Sequence, residues 1–123
     1  MLEENSNIQQ ISGELPRRWF SDEFFDLIIW EKKPGNYNSF QLCYNKQSDE
    51  HALTWRKEHS VEHFRVDSGE PGPLKNLSPM MIDDGVVDLN RLIRKFEEKS
   101  RKIEPQIRDF ILRKLEEYQR TGI

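Results

Sequence analysis

The stretch FQLCYNKQSDEHALTW, residues 40–55, decides the fold. Two runs rich in aromatic and aliphatic side chains, residues 40–45 and 51–57, flank the polar, turn-like Lys46-Gln47-Ser48-Asp49. Their apolar positions recur every second residue, the period that sends successive side chains to opposite faces of a strand. A two-residue turn at Gln47-Ser48 pairs Tyr44 with His51, Leu42 with Leu53 and Phe40 with Trp55.

The same arithmetic extends outward. Residues 26–31, DLIIWE, read as a strand that stops at Lys33-Pro34-Gly35-Asn36, a strong turn signal. A turn at Pro34-Gly35 sets Ile29 opposite Phe40 and Leu27 opposite Leu42, although proline is unusual there and leaves a longer turn open. On the other side, residues 61–67, VEHFRVD, make a fourth strand, and a turn at Glu58-His59 sets Leu53 opposite Phe64. One face then collects Leu27, Ile29, Phe40, Leu42, Tyr44, Leu53, Trp55, Phe64 and Val66. The other collects Ile28, Trp30, Gln41, Cys43, Ala52, Thr54, Arg56, His63 and Arg65. A one-residue slip in any strand spoils that separation, so the pattern itself favours this register.

The second half is helical. Leu89, Leu92, Ile93 and Phe96 follow the i, i+3, i+4, i+7 rule after a capping Asp88, and Ile107, Phe110, Ile111, Leu115 and Tyr118 do so after Pro105. Their apolar stripes need a partner and the apolar sheet face needs a cover. The expectation is an α+β domain: a four-stranded antiparallel meander with two C-terminal amphipathic helices packed on one face. Residues 68–86, with three prolines and three glycines, form a long connection of the kind that often carries function. Residues 1–15 show no periodicity and read as a flexible tail ahead of a single domain spanning 16–123. Ser21-Asp22-Glu23 has the composition of a helix start, and one helical turn through Phe24 is expected.

Composition bounds the function. At 123 residues, 33% charged and 35% apolar, the chain supports one core. The single cysteine, Cys43, forms no intramolecular bridge, which fits a reducing compartment. MLEENSNIQQ lacks the basic start and apolar stretch of a secretory signal, and no apolar run approaches the ~20 residues that span a bilayer. The reading is a cytoplasmic protein without membrane contact. Net charge is −3, with 9 basic and 15 acidic side chains in residues 1–87 against 10 and 7 in residues 88–123. An acidic chain is a poor nucleic-acid binder, since phosphate neutralisation supplies most of that affinity. Binding through the helices would need Arg91, Arg94, Lys95, Arg101, Lys102, Arg108 and Lys114 on one face.

Chemistry-bearing motifs are few. His59-Ser60-Val61-Glu62-His63 matches H-x-x-E-H, the inverted zinc-protease pattern, in which a helix brings both histidines to one metal. In a strand, residues four apart stand roughly 13 Å from each other, so a turn histidine and a strand histidine are the better reading and no metal or other cofactor is expected. A mid-strand Cys43 reads as a small buried hydrophobe rather than a nucleophile. No catalytic residues are assigned. Gln41, Arg56, His63 and Arg65 could together hold an anionic small molecule through charge-assisted hydrogen bonds. Ile28 and Trp30 would expose apolar area on the mixed face unless something covers it.

The strings Trp19-Phe20, Phe25-Asp26-Leu27-Ile28-Ile29-Trp30, Phe40-Gln41-Leu42-Cys43-Tyr44 and Ala52-Leu53-Thr54-Trp55 resemble a family of small uncharacterised bacterial proteins. Arg65-Val66-Asp67 and Ile107-Arg108-Asp109-Phe110 extend the resemblance. It implies a self-contained domain and carries no activity. The functional expectation is a non-catalytic interaction or regulatory module with a protein partner. The alternative is a binder of, or enzyme acting on, an anionic small molecule. The unprotected edge of the first strand can be covered by pairing with residues 8–20 or by a second copy; a homodimer burying Ile28 and Trp30 is expected, by pairing at that edge or by stacking of the mixed faces.

Overall fold

The computed structural model describes residues 1–6, 8–10, 12–46, 50–59, 61–65 and 89–121. Among them, one antiparallel sheet contains β1 (Glu3–Glu4), β2 (Arg17–Ser21), β3 (Phe25–Lys33), β4 (Asn36–Tyr44), β5 (His51–Arg56) and β6 (Glu62–Arg65). Strand order in the sheet is strand order in the chain. Two helices follow, α1 (Leu89–Lys99) and α2 (Pro105–Thr121). The α+β class agrees with the sequence reading, but the sheet has six strands where the periodicity predicts four. The 68–86 connection, Val66, Asp67 and Asp88 lie outside the described residues. None of the described helices is long and apolar enough to cross a membrane.

The inner hairpins form as their alternation dictates. Leu27 faces Leu42 and Ile29 faces Phe40 across β3 and β4. Phe40 faces Trp55, Leu42 faces Leu53 and Tyr44 faces His51 across β4 and β5. Pro34-Gly35 closes the first hairpin, with Lys33 opposite Asn36 and Gly35 at φ +85°.

The two added strands precede the predicted meander. β2 pairs with β3, so β3 is a central strand and its edge is not free. Asp22 ends β2: its Oδ1 accepts from the backbone amides of Phe24 and Phe25 at 2.8 and 2.7 Å. That is an Asx-type turn between strands, in place of the expected helical turn. β1 pairs with β2, and Leu2 before it is fully buried. The start of the chain is therefore part of the sheet and the core.

Both helices cover one face. Phe20, Phe25, Leu27, Ile29, Phe40, Leu42 and Leu53 meet Leu92, Ile93, Phe96, Ile107, Ile111 and Leu115 in one apolar cluster. Each such side chain, fully buried, stabilises the fold by about 1.5–3 kcal/mol. Phe25 meets Phe96 edge-on with centroids 5.7 Å apart, and Phe110 lies across Trp55 at 5.1 Å. The end of α1 is closed by side and main chain alike. Arg108 donates to the Glu97 carbonyl at 3.0 Å, and the Leu2 amide donates to the Lys99 carbonyl at 2.8 Å. These donors satisfy carbonyls that the helix itself leaves without partners.

Candidate interaction face

The face turned away from the helices is built by cross-strand registry. One row runs Arg17, Trp30, Ser39, Arg56, and the next runs Trp19, Ile28, Gln41, Thr54, Glu62. A third runs Ser21, Asp26, Cys43, Ala52. Trp19, Ile28 and Trp30 are each half-buried. Cross-strand neighbours stand about 4.5–5.5 Å apart and shield one another, and in the third row Ala52 is fully buried. The apolar strip lies across β2 and β3.

Charge divides the face into two ends. At one end, Arg17 donates to the Gln9 carbonyl at 3.1 Å, and the Gln10 carboxamide clamps the Arg17 backbone with two 2.9 Å hydrogen bonds. Arg56, in the same row, is exposed. At the other end Asp26 accepts from Lys46 at 3.2 Å and from the Trp19 indole at 3.4 Å, which fixes the indole against the strip. Burial, together with the Asp26 charge, pushes the Glu50 carboxyl above its usual range. The Cys43 thiol between them is pushed up to about 12, first by burial and then by the Glu50 and Asp26 charges. Such a thiol is a poor nucleophile, because the reactive species is the thiolate.

The sequence-derived residues fall on both sides of the sheet. Ile28, Trp30, Gln41 and Arg56 share the open face, with Ile28 between Trp19 and Gln41. His63 does not join them. It faces Leu53 and turns toward the helices, where its Nε2 lies 2.5 Å from the Tyr44 hydroxyl. Tyr118 of α2 meets its ring edge-on at 6.2 Å, and His51 stacks on Tyr44 at 5.3 Å. The cause is the last turn. It centres on Glu58, which sits at φ +68°, and not between Glu58 and His59. That half-step shifts β6 by one residue and exchanges its faces. Phe64 therefore pairs with Ala52 and Glu62 with Thr54. Arg65 belongs to β6 by its backbone, and its side chain lies outside the described residues. Of the H-x-x-E-H string, His59 is exposed outside any helix and Glu62 and His63 lie in β6, so the two histidines do not share a helix face.

Arg17 and Trp19 belong to the face and were not flagged by the sequence. Their signal was the alternation of Arg17-Arg18-Trp19-Phe20, which sends Phe20 into the core and Trp19 outward.

Two other charged groupings lie elsewhere. On the helix side, Arg18 reaches Glu4 at 2.8 Å, Glu104 at 3.5 Å and the buried Glu31 at 3.6 Å. Along the helices, Arg94, Arg101 and Arg108 line a groove together with Glu97 and Glu98. Lys95 instead lies over Phe24 and Lys114 over Trp55, so the basic side chains of the helices do not form one surface.

No protein-family model matches this chain, and searches of curated proteins and of solved structures each return no match. The resemblance to an uncharacterised bacterial family rests on the quoted strings alone.

Proposed function

We propose that this chain is a non-catalytic interaction or regulatory module that works through the open face of its sheet. The observation that carries the reading is the strip Trp19, Ile28, Trp30: three large apolar side chains in register on the face opposite the helices. A sheet whose core is complete on one side has no folding need for two tryptophans on the other. Large side chains of this kind, ringed by polar groups, are the usual anchors of protein interfaces. A cytoplasmic setting suits the module, given its single cysteine. The anionic-ligand reading keeps Gln41 and Arg56 on a common face and loses His63 to the opposite one.

The test is whether the strip serves binding or folding. Trp30→Glu, measured at a concentration too low for association, should change unfolding free energy by less than about 1 kcal/mol, as surface substitutions do. It should also reduce binding of an apolar fluorescent dye. A loss of several kcal/mol, the scale of a core truncation, would make the strip structural and remove the basis of the proposal.

A further inference from the structure

We infer that the partner of the open face is a second copy of this chain, stacked about a two-fold axis lying in the interface at right angles to the strands. The inference rests on reading that face as an interaction surface. Its argument is charge complementarity. Arg17 and Arg56 occupy one end of the face; Asp26, paired with Lys46 at 3.2 Å, and Glu50 occupy the other, which keeps a net negative charge, with Trp19 and Ile28 between.

Two in-plane two-fold axes could stack such a face on itself. An axis parallel to the strands returns each end to its own kind, setting guanidinium against guanidinium and carboxylate against carboxylate. An axis perpendicular to the strands reverses the ends. It brings Arg56 toward the partner's acidic end and the partner's guanidinium toward this chain's Glu50. Because the interface is isologous, the favourable contact occurs twice. Trp19 and Ile28 lie near the axis and pack on their own copies. The strands of the two sheets then run nearly antiparallel, within the ~30° that twisted sheets adopt when stacked.

Size sets the strength. Four strands ~4.8 Å apart, each contributing about five residues at ~3.4 Å, give a face of roughly 300 Å² in projection. That is well below the ~800 Å² per partner of standard stable interfaces, so association no tighter than micromolar is expected.

Charge reversal separates this arrangement from every other use of the face. Arg56→Glu alters an exposed side chain, and Glu50→Lys removes a carboxylate that its burial disfavours. Circular dichroism should show each variant folded. In sedimentation equilibrium at tens of micromolar, the wild type should approach twice the 14.8 kDa chain mass. Each single variant should dissociate at least tenfold more readily. An equimolar mixture of the R56E and E50K chains should recover the dimer, because the reversed acid of one then meets the reversed base of the other while the second contact stays native. A wild-type dimer that Trp30→Glu dissociates, but that the mixture does not restore, overturns the orientation and leaves the interaction reading intact. A wild type that stays monomeric at hundreds of micromolar overturns the self-partner and leaves the face to another segment or another protein.

Discussion

Arg18 Nη1 lies 3.6 Å from Oε1 of Glu31, and that buried carboxylate oxygen accepts no hydrogen bond among the described residues. The guanidinium is turned chiefly to Glu4, with two 2.8 Å bonds. Burial pushes the Glu31 carboxyl above its usual range, and Arg18 only partly opposes this. The folded chain thus holds a proton on Glu31 more tightly than the unfolded chain does. The group's contribution to stability is complete below the ordinary carboxyl pKa and is lost as pH rises through the raised folded value. Glu31→Gln should therefore raise unfolding free energy at pH 7.5 by about 1 kcal/mol, the scale of one poorly compensated buried group. The gain should vanish near pH 3.5. Urea denaturation at the two pH values checks the sign; a loss at pH 7.5 would mean that the Arg18 pairing outweighs burial.

Leu2 tests whether the start of the chain belongs to the fold. Its side chain is fully buried in the main cluster. Leu2→Ala should lower stability by about 2–4 kcal/mol, as buried leucine truncations do. An unattached tail would give a change within about 0.5 kcal/mol in the same denaturant experiment.

The first hairpin turn makes a separate prediction. Gly35 sits at φ +85°, and a Cβ there would stand 2.7 Å from Nε2 of Gln106. Gly13 shares the backbone conformation, at φ +88°, but a Cβ there would meet nothing within 4 Å. Gly13→Ala should then report left-handed strain alone, about 1 kcal/mol. Gly35→Ala should cost more, by the displacement of the Gln106 side chain. Adding Gln106→Ala to Gly35→Ala should recover only that excess. Equal losses at the two glycines would show that the hairpin and α2 do not press on each other.

Cys43 offers a probe of the open face. With its thiol pushed up to about 12, the native protein should react with iodoacetamide at pH 8 on the order of a thousandfold more slowly than the urea-unfolded chain. Quenched labelling followed by intact mass measures both rates. Fast labelling of the folded protein would show that neither burial nor the neighbouring carboxylates hold the thiol protonated.

The middle of the sheet was legible because two signals agreed there. Period-two alternation and short polar turns fix Leu27, Leu42 and Leu53 in one line, and any slip would have turned them outward. The last strand was misread by one residue because Glu58 carries a positive φ, which sequence signals chiefly through glycine or asparagine. Both faces of that region also look acceptable on paper: Ala52 and Leu53 are buried alike, so the pattern does not choose between them. β1 was not legible as a strand, and β2 only as a candidate cover for the edge of β3. Two residues carry no period, and in Arg17–Ser21 an inward arginine interrupts the apolar signal. Arg18 can point inward because Glu4, Glu31 and Glu104 surround it, a constellation drawn from distant parts of the chain. The open face was half visible: Ile28 and Trp30 followed from the β3 alternation, whereas Trp19 depended on residues 8–20 pairing with that strand, which stood only as the alternative to a second copy.

The sheet whose strands lie side by side in chain order has a consequence for how the molecule assembles. Every strand pairs only with its sequence neighbours, so loop closure is short at each step and hairpins can zip in succession while the chain is still emerging from the ribosome. The Leu2 amide is the exception. Its acceptor is the Lys99 carbonyl at the far end of α1, so this contact must wait until the first helix exists. Leu2 therefore settles only after α1 has formed, later than the hairpins that lie between them in the chain.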